Sequence, residues 1–258
     1  MRVAAIFAAV ALIAGCDVVQ KIENRKILMG AMLASPQVDV LDVSKASVTT
    51  AQLFFGERQS DLNKPPTPLA ASGVTLGWDG NSAGVALAPV TGKEGWYQAT
   101  GSIPYTPGAN YTFTVVYQGE TFSGTVAAPS APTIKNAEAH QFPQQVYSEF
   151  TSLTLQRDGM ADAFYAVFDA GSSADLGTPT CTNAPVDDAA TLVRFALDDA
   201  AWKAASFDLP KSPCFPSAGT YVVSLTTVEK NTSLSSNLSL GSAVMVGAAD
   251  GAVFVLQQ

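Results

Sequence analysis

The stretch "YTFTVVYQGETFSGTVAA", Tyr111–Ala128, decides how this chain folds. Its side chains alternate. Tyr111, Phe113, Val115 and Tyr117 fall on one face, with Thr112, Thr114 and Gln118 on the other. A period of two is the geometry of a strand with one buried face and one wet face. Gln118-Gly119-Glu120 interrupts the run as a turn, and Phe122, Gly124 and Val126 then resume the alternation. The stretch therefore reads as a hairpin.

Working upstream, "GVTLGWDG" sets Val74, Leu76 and Trp78 against Thr75, Gly77 and Asp79. "SVTTAQLFFG" and "GWYQATGSI" supply further strands, separated by turn-rich stretches such as "NKPPTP" and "TPGAN". Six or seven short strands in about 90 residues are the pattern of an immunoglobulin-like sandwich. "APSAPT", Ala128–Thr133, places two prolines among small residues. It reads as a short, semi-stiff connector with few side chains to pack.

Beyond the connector the strand pattern returns in "SLTLQRDG", "FYAVFDAG", "TLVRFALDD" and "YVVSLTTVEKN". A last pair, "SAVMVGAADGAVFVL", carries Asp250-Gly251, a hairpin signal between apolar strands. "DDAAWKAAS" is the one stretch that reads as a helical turn, with acids at its start. "KILMGAMLAS", Lys26–Ser35, stays open between helix and strand. Leu, Met and Ala favour helix, yet Gly30 interrupts the run and Pro36 closes it early.

The N-terminal end says where the chain lives. Residues 1–15 carry one charge, Arg2, and an apolar run from Val3 to Ile13. As a helix that run rises only roughly 16 Å, about half a bilayer core. A transmembrane helix is thus disfavoured, and the apolar core of a signal peptide fits. "LIAGCD", Leu12–Asp17, closes the run on small residues before a cysteine and resembles the bacterial lipobox. The resemblance implies cleavage before Cys16, lipidation of its thiol and acylation of the new N-terminus. Each buried acyl CH₂ contributes ~0.8 kcal/mol, and stable anchoring needs more than one chain. Asp17 resembles the signal that, in enteric bacteria, retains lipoproteins in the inner membrane facing the periplasm. Outer membrane or cell surface is the alternative.

The expected organisation is all-β: two Ig-like β-sandwich domains in tandem behind a lipoprotein signal and short tether. The signal covers 1–15, the lipid-attachment site and tether 16–36, the first sandwich 37–129 and the second 130–258. "GWYQATGSIPYTPGANYTFTVVYQGETFSGTVAAP" is similar to the Ig-like first domain of bacterial envelope lipoproteins and to carboxypeptidase-regulatory-like modules. "FPSAGTYVVSLTTV" likewise resembles an Ig-like strand pair. The resemblance implies a fold, and no catalytic residues come with it.

Composition narrows the chemistry. Without Arg2, 13 basic residues face 22 acidic ones, a net of −9. No basic patch stands out, which argues against nucleic acid. With Cys16 given to lipid, Cys181 and Cys214 remain, and in an oxidising compartment an even pair reads as a disulfide. His140 is the only histidine and lies in the polar stretch "NAEAHQFPQQ". His-based hydrolysis and zinc chemistry, which usually draw on two or more such residues, are poorly served. Neither a phosphate loop nor a dinucleotide fingerprint is present, and no cofactor is implied.

Asp79 and Asn81 in "GWDGNSAG" are candidate hard-cation ligands, as are the pairs Asp187-Asp188 and Asp198-Asp199. Without convergent acidic spacing, turns or helix starts account for them. Trp96, Tyr97 and Tyr105 flank turns and form a candidate binding surface for sugar or a partner chain. Alternation nevertheless expects at least one of Trp96 and Tyr97 in the core. Three N-x-S/T matches, at Asn110, Asn231 and Asn237, read as chance in a bacterial lipoprotein. The expected function is a non-catalytic binding or scaffold module. Its partners are the bilayer, through acylated Cys16, and an envelope protein or glycan. A carboxylate-dependent, glycosidase-like hydrolase is the alternative.

Overall fold

The computed structural model describes residues 25–36, 47–59, 64–101, 103–134, 146–147, 152–156, 161–171, 179–183 and 203–257. Their architecture is all-β, two sandwiches built on one continuous sheet. The large sheet contains β1 (Lys26–Pro36), β2 (Ser47–Glu57), β6 (Ala88–Pro89), β7 (Trp96–Thr100), β12 (Asp162–Asp169), β13 (Cys181–Thr182), β15 (Gly219–Asn231) and β16 (Ala243–Leu256). Its order is β13-β12-β15-β16-β1-β2-β7-β6. Two short strands, β3 (Thr67–Pro68) and β10 (Val146–Tyr147), pair with β2 and β16. A second sheet has the order β5-β4-β8-β9, from β4 (Gly73–Trp78), β5 (Asn81–Ala86), β8 (Asn110–Tyr117) and β9 (Glu120–Ala127). A third pairs β11 (Ser152–Gln156) with β14 (Ser206–Pro210), which runs into a short helical turn, α1 (Lys211–Cys214).

The alternation in Tyr111–Ala128 translates directly. Tyr111, Phe113 and Val115 of β8 are buried, as are Phe122, Gly124 and Val126 of β9. The strands meet through a two-residue turn at Gln118 (φ 53°) and Gly119 (φ 82°). Two consecutive left-handed residues match the right-handed twist of the flanking strands. The first core gathers Leu28, Met32, Leu53, Phe55, Leu76, Tyr97, Tyr111, Phe113 and Phe122 between the two larger sheets. The second collects Leu155, Val167, Phe207, Leu209, Phe215, Tyr221, Val223, Leu225, Phe254 and Leu256.

Each core contains a buried tyrosine whose hydroxyl ties the start of its strand to the chain upstream. Tyr111 donates to the Pro104 carbonyl (2.6 Å) and accepts from the Thr106 N–H (3.0 Å). Tyr221 donates to the Ser217 carbonyl (2.7 Å) and accepts from the Ser217 N–H (3.2 Å). This is the tyrosine corner of Ig-like sandwiches.

Three sequence expectations change. Residues 26–36, grouped there with the tether, form the central strand β1. It pairs antiparallel with β2 from Lys26↔Glu57 to Pro36↔Ser47 and parallel with β16 from Met29↔Ala243 to Ala34↔Ala248. Leu28 and Met32 enter the first core, while Ile27 and Met29 pack with Phe54 in a separate cluster. Burial on both faces removes the polar alternation, so the run does not announce itself as a strand.

The Asp250-Gly251 hairpin does not form. β16 continues through both residues and pairs with β15 from Asn231↔Val244 to Gly219↔Leu256 without a break. Thirteen residues of ladder outweigh a two-residue turn preference. The division at 129/130 separates most of the two cores but not the sheet. Leu238, Val244 and Val246 belong to the first core, and Ala252, Phe254 and Leu256 of the same strand to the second. "TLVRFALDD" and the start of "DDAAWKAAS" lie outside the described residues.

Gly30 explains how β1 fits beneath the second sheet. A Cβ there would stand 2.8 Å from the Phe113 ring. Gly30→Ala is therefore expected to cost roughly 1–3 kcal/mol in urea unfolding. Phe113→Leu should make room, so the double variant should be more stable than the sum of the two single losses. Simple additivity would remove this contact as the reason for the glycine.

Candidate functional site

Among the described residues polar contacts join distant parts of the chain at several places, and two of these stand out. The first is the connector. Its "few side chains to pack" prove well packed, since Ala128, Pro129, Pro132 and Ile134 are all buried. Tyr105 Oη donates to the Pro129 carbonyl (2.5 Å), Thr227 Oγ1 to the Ser130 carbonyl (3.1 Å), and the Ile134 N–H donates to Asp250 Oδ2 (2.9 Å). Asp250 Oδ1 accepts the Gly251 N–H (2.9 Å).

These contacts have a source in the strand pattern. In β16 the even positions Val244, Val246, Ala252, Phe254 and Leu256 face the cores, and Asp250 shares that parity. In β15 the inward series Tyr221, Val223 and Leu225 leads on to Thr227. A polar residue at an inward position demands a partner, and the connector supplies one to each. That signal was available in the sequence and was masked by the turn preference of Asp250-Gly251.

The aromatic trio does not share one surface. Tyr97 lies in the first core, where its hydroxyl accepts the Ala71 N–H (2.6 Å) and donates to the Leu69 carbonyl (3.4 Å). Trp96, next in the strand, turns to the other face and packs on Phe54, ring centroids 5.4 Å apart. One of the pair is in the core, as alternation requires. Tyr105 is half-buried against the connector. Burial, with nearby Tyr111 adding to it, pushes its phenol well above the ordinary range.

The sequon asparagines have structural uses. Asn231 Nδ2 donates to the Thr125 carbonyl (2.7 Å) and Asn237 Nδ2 to the Thr121 carbonyl (3.1 Å). Ser235 N–H donates to the Ser123 carbonyl (3.2 Å), and Ser123 N–H returns a bond to Ser235 Oγ (3.2 Å). The β15–β16 connection thereby covers the outer edge of β9, a strand edge that would otherwise invite pairing with another chain.

The disulfide joins Cys181 of β13 to Cys214 at the end of α1. Thr180 Oγ1 reinforces it by donating to the Cys214 carbonyl (2.7 Å). Asp79 Oδ2 accepts the Asn110 N–H (2.8 Å), and Asn81 Oδ1 accepts the Gly84 N–H (3.1 Å), so both organise turns. Asp208 accepts from Thr154 (2.7 Å), and Asp162 pairs with Lys230 (3.3 Å). Among the described residues no group of three or more His, Cys, Asp or Glu side chains is placed to hold a metal. His140, Asp187-Asp188, Asp198-Asp199, Cys16 and Asp17 lie outside the described residues.

The second place is the root of β1, and it is the candidate functional site. Lys26 Nζ lies 3.4 Å from Glu57 Oε2 and sits over the Tyr117 ring, 5.2 Å from its centroid. Arg25 Nε lies 3.9 Å from Glu57 Oε1. The Arg25 carbonyl accepts the Arg58 N–H (2.6 Å), and the Lys26 carbonyl accepts the Ser239 N–H (2.7 Å). The chain enters the sheet at a point clamped from β2, from the β8–β9 turn and from the β15–β16 connection. No helix among the described residues is long and apolar enough to cross a membrane.

No family model matches the chain, and no curated protein matches it. Among solved structures it is similar to one titled "Anomalous substructure of Titin-A168169", at 13% identity over 91% of this chain and 98% of that one. The TM-score is 0.22, too low for the match to carry an argument.

Removing the Asp250 carboxylate in Asp250→Ala strands the Ile134 N–H in a buried place. The expected cost is about 1–3 kcal/mol in denaturant unfolding, with faster proteolysis within 128–134. Unchanged proteolysis would mean that the connector is held without this bond. Tyr105 gives a pH signature. Its folded-state pKa is raised, so its contribution is intact below the unfolded value near 10 and is lost as pH climbs through the folded one. Stability measured by urea midpoint should fall above about pH 10, and Tyr105→Phe should lessen that fall.

Proposed function

We propose that the chain is a lipid-anchored, non-catalytic module of the bacterial cell envelope. In this reading it presents two rigidly joined sandwiches to a protein or glycan partner. The observation that carries the reading is the position of β1. The lipobox-like cysteine stands nine residues before Arg25, and the strand that follows is central to the sheet that both cores share. An anchor at Cys16 would thus be fastened to the whole body rather than to a loose arm. The disulfide fits an oxidising, exported location.

Asp17 favours the inner membrane facing the periplasm under the enteric rule. With the outer aromatics committed to packing, partner contacts fall to loops and strand edges. Cys16→Ser should move the protein from the membrane to the soluble fraction, and mass spectrometry of the membrane-extracted wild type should find residue 16 carrying acyl chains. An unmodified residue 16 in membrane-extracted protein would end the lipoprotein reading. Crosslinking in intact cells should recover a reproducible envelope protein or glycan, and recovery of none would count against the binding role.

A further inference from the structure

We infer that the outer face of the β4–β8–β9 sheet, continued by the β15–β16 connection along its edge, is a binding surface for a neutral glycan strand. The inference rests on the binding-module reading and names its ligand class and the surface that takes it. Strand parity sets the face. Leu76, Phe113 and Phe122 lie in the first core, so the odd residues of β4, the even residues of β8 and the odd residues of β9 point outward. The ladders align these in rows across the strands. The middle row is Thr75–Thr114–Ser123. It continues into the connection, because Ser235 and Ser123 exchange two hydrogen bonds. On one side of it Thr112 pairs with Thr125, their hydroxyls 2.8 Å apart. On the other side Val116 pairs with Thr121.

Charge and chemistry choose the ligand. No residue in 73–78, 110–117, 121–127 or 231–242 is charged, in a chain of net −8. A protein surface ordinarily places charge at about a quarter of its positions. Elsewhere the strands do so, with Glu57 in β2, Asp208 in β14 and Glu229 in β15. The face thus offers nothing to an ionic ligand. Protein interfaces draw on Tyr, Trp, Phe, Met and Arg, and none of these stands at an outward position of β4, β8 or β9. What remains is hydroxyl, each group both donor and acceptor, which is also what a sugar presents. Val116, 37% exposed, supplies an apolar contact for ring C–H groups or an acetyl methyl. The hydroxyls of a row repeat at the strand spacing, about 4.8 Å, close to the length of one β-linked pyranose. The glycan therefore lies along a row, across the strands.

The test uses the full-length protein in a zwitterionic detergent, titrated calorimetrically with chitohexaose, a neutral β-linked chain of N-acetylated sugars, and sedimented with purified sacculi. The wild type should bind chitohexaose saturably. Thr75→Val combined with Thr114→Val removes two neighbouring hydroxyls while keeping strand propensity. It should weaken chitohexaose binding at least tenfold with the unfolding midpoint unchanged. Thr67→Val, at an exposed position of β3 in the large sheet, should leave binding as it is. Co-sedimentation with sacculi as well would identify the wall as the source of the glycan, and chitohexaose binding alone would support the surface and place its glycan outside the wall. No saturable chitohexaose binding, equal affinity in the double variant, or an equal loss in Thr67→Val would overturn the glycan surface. A reproducible protein crosslink in cells with no chitohexaose binding would overturn this surface and leave the binding module standing. An unmodified Cys16 with chitohexaose bound would end the anchor and support the surface.

Discussion

The ladder between β15 and β16 is the constraint on which the rest of the molecule depends. Its pairs run unbroken from Asn231↔Val244 to Gly219↔Leu256. β16 serves two cores at once, and β15, which lines the second, is paired to it along its whole length. Val244 and Val246 lie under the four-stranded sheet, and Ala252, Phe254 and Leu256 under the β11–β14 pair. Two sandwiches that shared only a connector would move independently by default. Here a relative rotation would bend or shear a continuous ladder, and the connector is strapped across that ladder by Tyr105, Thr227 and Asp250.

The polar groups at this junction also separate two apolar volumes. Thr227 and Asp250 occupy inward positions along the stretch of ladder where β16 passes from one core to the other. A hydrophobic residue at either place would have left connector groups without partners, and a buried unpaired amide or carbonyl is costly. The junction is thus a line of satisfied hydrogen bonds between two apolar cores. That is consistent with Pro129 and Pro132, which supply no N–H groups to satisfy.

The fold was legible wherever one strand face met water. Tyr111–Ala128 and Gly73–Trp78 announced their inward residues because the outward ones are polar or small. Legibility failed where both faces are covered. β1 hid its period behind Leu, Met and Ala, and β16 hid its continuity behind a local Asp-Gly preference. Both failures are long-range, since each strand is defined by partners far away in sequence. At the candidate site, a lipobox-like pattern marks Cys16 within six residues, but the clamp on Lys26 joins residues 57, 117 and 239. No short window contains such an assembly. The aromatic trio misled for the opposite reason: its residues are close in sequence, yet alternation sends Trp96 and Tyr97 to opposite faces.

In the proposed reading, the position of β1 decides what a tether at Cys16 can transmit. A tether leading into an edge strand would load one row of hydrogen bonds, and an edge peels bond by bond. β1 instead has β2 on one side and β16 on the other, with Phe113 over Gly30. Tension along its axis loads both ladders together in shear, and the Lys26–Glu57–Tyr117 clamp closes the point where peeling would start. Because β16 belongs to both cores, the same load reaches the second sandwich without passing through the connector. A central first strand therefore makes one attachment point sufficient to hold and orient both sandwiches.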